Sequence, residues 1–147
     1  MKMLKSYFRS LVAVVFLLPS LAWAEDFQIN AEARIFNPDI LYLKPGDAVS
    51  FVNMASHDSV SVDGFIPEGA QPWQSGIGNN LTIKLDVEGT YLYVCVPHLG
   101  FGMVGIIVVG EPKDIDDVMT RAQAKLEGPY RRLIGKILKV QQAAKAK

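Results

Sequence analysis

From Phe27 to Gly110 the chain is written in short apolar segments separated by turn signals, which restricts it to strands. Ile40-Leu41-Tyr42-Leu43 suits one strand and is too short for a helix. Lys44-Pro45-Gly46-Asp47 follows as a turn, with Pro presetting one dihedral and Gly permitting the reversal. Ala48-Val49-Ser50-Phe51-Val52-Asn53 then alternates with period two. A polar, glycine-rich section runs from Ala55 to Asn80. Strands resume at Leu81-Thr82-Ile83-Lys84-Leu85, turn at Gly89, and continue through Thr90-Tyr91-Leu92-Tyr93-Val94 and Val104-Gly105-Ile106-Ile107-Val108-Val109. Short strands at this spacing predict an all-β chain folded as a β-sandwich over residues 25–110.

The period changes in residues 111–147, an extension expected to join the same domain. Glu111-Pro112 breaks the last strand. Asp114 is placed to cap a helix, with Asp117 in its first turn. Ile115, Val118, Met119, Ala122 and Leu126 repeat as one helical face. Gly128-Pro129 ends that helix and opens a second, with Leu133, Ile134, Ile137 and Leu138 as its apolar face. Gly135 weakens the second helix by about 1 kcal/mol against Ala, so packing on the sandwich must hold it. Gln141 to Lys147 is expected to fray.

The first residues read as a leader. Lys2, Lys5 and Arg9 precede the apolar run Leu11 to Leu18, and Ala22-Trp23-Ala24 is a small-x-small cleavage site. The apolar run is too short to span a bilayer. Residues 1–24 are therefore expected to be a secretory signal peptide, and the mature chain a periplasmic protein without a membrane segment.

Export sharpens the meaning of the single cysteine, Cys95. In an oxidising compartment an unpaired thiol is buried, reactive or bound. One of the two histidines, His98, lies three residues on, and Met103 follows five residues later. Each is ordinary alone: a strand-end Cys is a small hydrophobe, a lone His a hydrogen-bonded residue, a lone Met packing. Together, Cys95 closes a strand, Met103 precedes the next, and Pro97, Gly100 and Gly102 make the loop between them tight. The other histidine, His57, follows the strand ending near Asn53, and a sandwich gathers strand-end loops at one pole. A thiolate, two imidazoles and a weak thioether are the donors of a copper electron-transfer site, so His57, Cys95, His98 and Met103 are expected to hold one copper ion.

Other classes fit less well. A copper-delivery or storage protein would want open Met- or His-rich sites, and beyond the leader only Met54, Met103 and Met119 remain. An enzyme would want an open metal position and acid–base groups, and no further histidine is available. A cysteine hydrolase pairing Cys95 with His57 would leave Met103 unexplained. Nucleic-acid binding would need a basic face.

On these residues the stretch from about Phe36 to Gly110, continued by the helical tail, resembles the cupredoxins, whose fold is a Greek-key β-sandwich. Cys95-x-x-His98 with Met103 is the superfamily's motif. His57-x-x-Val60, Ile66-Pro67-Glu68-Gly69-Ala70 and the two helices after residue 111 resemble the pseudoazurin branch. The resemblance implies a small monomeric carrier, not an enzyme, that exchanges single electrons with redox proteins such as a cytochrome c or a copper nitrite reductase. Docking would be transient at the His98 face, on a patch of Leu99, Gly100 and Phe101 joined by Pro67, Pro97 and Trp73; packing is the other reading of Phe101 and Trp73.

Two departures stand out. The resemblance implies Asn after the first ligand histidine, bracing the ligand loop, where this chain has Asp58. An ionised carboxylate has no N–H to donate and its charge would favour Cu(II); the other reading is that Asp58 points to solvent and is screened. The second departure is charge. The family's lysine ring is missing at Ser56, Gln71, Gln74, Gly76 and Val94, and residues 25–110 carry net −7 against +4 for residues 111–147. That balance favours a partner neutral or basic near its redox centre, unless the basic tail supplies charge from elsewhere.

Overall fold

Period-two strands with one buried face pair into sheets and close on each other, and the chain does so twice. The computed structural model describes residues 25–146, so the expected leader lies outside the described residues. The strands are β1 (Asp26–Glu32), β2 (Ile35–Asn37), β3 (Ile40–Leu43), β4 (Asp47–Val52), β5 (Val60–Ser61), β6 (Leu81–Leu85), β7 (Gly89–Val94) and β8 (Val104–Val109). One sheet runs β2-β1-β4-β6 and the other β3-β8-β7-β5. β1, β2 and β5 were not legible as separate strands. β5 is only two residues, held against Val94 and Tyr93 of β7 within the polar section.

The two central strands of the second sheet, β7 and β8, bury both faces, and their alternate residues go to two different cores. Tyr91, Tyr93, Ile107 and Val109 pack against Ile29, Phe36, Val49 and Phe51 of the first sheet. Leu92, Val94, Val104, Ile106 and Val108 face the other way, onto the C-terminal helices. This explains why β8 reads as an unbroken apolar run rather than an alternating one. Gly105 interrupts that run for a steric reason. It pairs with Tyr93, whose ring lies across it, and a Cβ there would sit 2.2 Å from the phenol.

Helices α1 (Ile115–Lys125) and α2 (Arg132–Lys145) cover the outer face of the second sheet. Their stripes of Ile115, Val118, Met119 and Ala122 and of Leu133, Ile137 and Val140 are buried. Three expectations need correction. Asp114 occupies the N-cap position but does not cap the helix. Its carboxylate instead accepts the Thr90 backbone N–H at 2.9 Å and the Thr90 hydroxyl at 2.8 Å, tying α1 to β7. Leu138 is exposed, because the α2 face runs through Val140 one turn past Ile137. Gln141 to Lys145 remains helical, anchored by Val140 and by the Gln141 amide donating to Asp116 at 2.5 Å.

Candidate metal centre

The loop between β7 and β8 is a hairpin end whose backbone closes on itself. The Cys95 N–H donates to the Met103 carbonyl at 2.9 Å, one pair beyond the Val94–Val104 register. The His98 N–H donates to the Cys95 carbonyl at 3.2 Å, and the His98 carbonyl accepts from Phe101 at 3.0 Å and Met103 at 3.2 Å. Leu99–Phe101 forms one tight turn that ends at Gly102 with φ +91°, where a side chain would be strained. Three of the four expected donors thus hang on backbone that the sheet fixes at both ends.

His57 arrives on a much longer segment. Its N–H donates to Met54 at 2.9 Å, and its carbonyl accepts from Gly78 at 3.0 Å. Ser59 then bonds three ways: its N–H to the Ser75 hydroxyl at 2.9 Å, its carbonyl from Ser75 N–H at 3.0 Å, and its hydroxyl from the Trp73 indole at 2.9 Å. Asp58 joins the two segments directly. It is buried, and its Oδ1 accepts the Val96 N–H at 2.7 Å. The solvent-facing reading of Asp58 is therefore wrong. The brace needs only an acceptor, and a carboxylate supplies one.

The donor atoms converge. Cys95 Sγ lies 3.8 Å from His57 Nδ1 and 3.5 Å from His98 Nδ1, and the two Nδ1 atoms are 3.1 Å apart. All three atoms lie within 4.8 Å of one another. Met103 is wholly buried in the same core cluster as Cys95. His57 and Cys95 are buried and His98 is half-buried.

Burial holds the His57 imidazole below its ordinary range; His98 pushes the same way and Asp58 opposes. Burial likewise pushes the Cys95 thiol up. The backbone N–H groups of Asp58 and His98 oppose that rise, while the Asp58 carboxylate adds to it. Two imidazole nitrogens and a buried sulfur turned toward each other are a donor set that fits a soft cation. The residues present fit one copper ion.

The surface at this pole differs from expectation. Phe101 and Pro97 are exposed and Leu99 is half-buried, as the motif implied. Trp73 is buried against Phe51, Tyr91 and Tyr93, the packing reading. Pro67 lies against Gly89, at the end of β7 opposite the loop. Exposed Val96, between Cys95 and Pro97, and Ile77, beside the Gly78 that bonds His57, were missed, because neither belongs to the motif. Two arginines also reach the loop from outside it. Arg132 at the start of α2 donates to the Gly100 carbonyl at 3.2 Å, and the Arg34 guanidinium carbon lies 4.2 Å from the Phe101 ring centre. No local pattern in the sequence announces either contact.

Residues 25–110 match the family model described as copper binding proteins, plastocyanin/azurin family. The chain is similar to the pseudoazurin of Methylorubrum extorquens, with 36% identity over 81 residues covering 54% of this chain and 55% of that one. It is 34% identical to the pseudoazurin of Paracoccus pantotrophus over 63% of this chain and 66% of that one, so it spans little more than half to two thirds of these relatives. A solved pseudoazurin from Sinorhizobium meliloti superposes with a TM-score of 0.65 at 32% identity, covering 76% of this chain and 91% of that one. With the sandwich, the two helices and the converging donors in place, the chain belongs to the plastocyanin/azurin family of copper-binding proteins, as a pseudoazurin-like cupredoxin.

Proposed function

We propose that this chain is a periplasmic carrier of single electrons rather than an enzyme, with His57, Cys95, His98 and Met103 holding one copper ion. The observation that carries this is the convergence of His57 Nδ1, Cys95 Sγ and His98 Nδ1 within 4.8 Å on backbone that the sandwich fixes in advance. The bound ion supplies the Cu(II)/Cu(I) couple. The chain supplies rigidity: the Cys95–Met103 pairing, the Ser59 bonds and the Asp58 brace hold the donors without help from the ion, so little has to move when the charge changes. Burial of His57, Cys95 and Met103 keeps substrates out, while half-buried His98 gives a docked protein its shortest route to the site.

Around His98, exposed Phe101, Val96 and Pro97 offer a small apolar contact suited to brief docking by a monomer. The partner is a redox protein of the cytochrome c or copper nitrite reductase type. Residues 1–24 would direct export and leave residues 25–147 as one domain. Purified chain reconstituted with Cu(II) is expected to turn intensely blue or green and to bleach with ascorbate. A colourless protein that retains Cu(I) would favour storage or delivery instead.

A further inference from the structure

Two carboxylates are buried among the described residues, Asp47 and Asp58. Asp58 belongs to the metal centre. Asp47 does not: it opens β4 at the end away from the His57 segment, and it is 3% exposed. Its Oδ2 accepts the Lys44 N–H at 2.7 Å, and its own N–H donates to the Lys44 carbonyl at 3.1 Å, which closes the turn. Its Oδ1 accepts the Glu25 N–H at 3.1 Å. The Glu25 carbonyl in turn accepts the Ala48 N–H at 3.1 Å. Both backbone groups of Glu25 are therefore fixed where β1 begins to pair in parallel with β4.

What Asp47 lacks is a cation. Among the described residues no Lys, Arg or His forms an ion pair with it. The charged groups nearest it along the chain and across the sheet are the exposed Glu25 and Asp26 carboxylates at the start of β1 and the exposed Lys44 on its own turn. Lys84 and Asp86, at the end of β6, pair with each other at 2.9 Å. A carboxylate taken out of water is stabilised far more by a cationic donor than by a neutral amide. One of its two donors can become a cation. Cleavage after Ala24 would turn the Glu25 amide nitrogen into an α-ammonium without moving it. We propose that Asp47 is the receptor for the chain start that leader removal creates, pairing with the Glu25 α-ammonium and clamping β1 onto β4; this rests on the export reading above. The uncleaved chain has the hydrogen bond but not the ion pair, so the fold reaches its full stability only on release from the leader.

The test compares copper-loaded chains that begin at Glu25 with chains that retain Ala22-Trp23-Ala24 ahead of it, by denaturant unfolding across pH. At about pH 6.5 the chain beginning at Glu25 should have a roughly tenfold smaller unfolding constant, the size expected when one opposite charge favours the ammonium. Pairing raises the folded pKa of the α-amine. The advantage is therefore full below the ordinary α-amino range of about 7.7–8.0 and is lost as pH rises through the folded value. Asp47→Asn keeps an acceptor without the charge. It should weaken both chains through the Lys44 turn and abolish the difference between them, whereas a purely structural role would leave the difference intact. Selective acetylation of the Glu25 α-amine in the parent tests the same pair without a substitution and should cost the same roughly tenfold. Equal stability of the two parent chains overturns the proposal, as does a difference that persists at about pH 10 or in Asp47→Asn, or an acetylated chain as stable as the free one. An exported chain whose mass shows a start other than Glu25 would instead overturn the cleavage reading, and the clamp with it.

Discussion

The loop from Cys95 to Met103 and the segment from Met54 to Asn80 deliver donors to the same point by different means. The first is nine residues long and ends on paired strands, so its backbone bonds are nearly those of an extended hairpin. The second is long, polar and short of regular pairing. Beside a few backbone bonds at His57 and Ser59, it is held by side chains: Ser59, Ser75, Trp73 and the carboxylate of Asp58. A sheet-anchored loop tolerates loss of any single side-chain contact, because its shape is set by backbone. A segment anchored largely by side chains has less reserve, since each removed group leaves a polar partner buried without a bond.

The sharpest way to break the first side of this comparison is to remove its donor. Cys95→Ser keeps the shape of the loop and should abolish the intense charge-transfer absorption of the copper-loaded protein, with little change in thermal midpoint. Visible spectroscopy and copper content measure this, and persistence of the band would remove Cys95 from the donor set. Next in size is an attack on the sheet that anchors the loop. Gly105→Ala drives a methyl into the Tyr93 ring, 2.2 Å from the phenol, and should cost about 1–3 kcal/mol in denaturant unfolding. A cost below that range would mean the ring has somewhere else to go.

A smaller effect should appear on the other side. Ser59→Ala strips the acceptor from the buried Trp73 indole N–H and should cost about 1–2 kcal/mol. It should also shift Trp73 fluorescence and speed copper loss, because His57 lies two residues away. Unchanged copper dissociation would show that the segment is held without that bond. Least disruptive to the fold is Asp58→Asn, which keeps an oxygen for the Val96 N–H but removes the charge. Stability should be nearly unchanged while the reduction potential rises, since the buried carboxylate favours Cu(II). A redox titration showing a fall or no change would remove electrostatics from the role of Asp58.

The contrast also explains what could be read without the structure. Cys95, His98 and Met103 were legible because the hairpin converts sequence spacing directly into geometry. His57 followed because the chain has two histidines and a sandwich gathers loop ends at one pole. The ties of its segment were not legible: Ser59 meets Trp73 across fourteen residues, and Asp58 meets Val96 across thirty-eight. Such bonds have no period. The same reason hid β5, and it redirected Asp114, whose capping position was correct but whose carboxylate found Thr90 closer. Trp73 shows the limit from the other side, since an aromatic in a polar section reads equally well as surface or core.

By itself the sequence determined what depends on local repetition and local spacing. The strands with clear alternation, the change to helical period after Gly110 and the soft donor set belong here, because each is a pattern within a few residues. Tertiary structure alone decided what depends on chain folding back. It buried Asp58 between the two donor-bearing segments, turned Leu138 outward, and set Arg34 and Arg132 on a loop far from either in sequence. Charge shows the division most clearly: a count of residues records its amount, and only the packing of α2 against β8 places it beside the copper site.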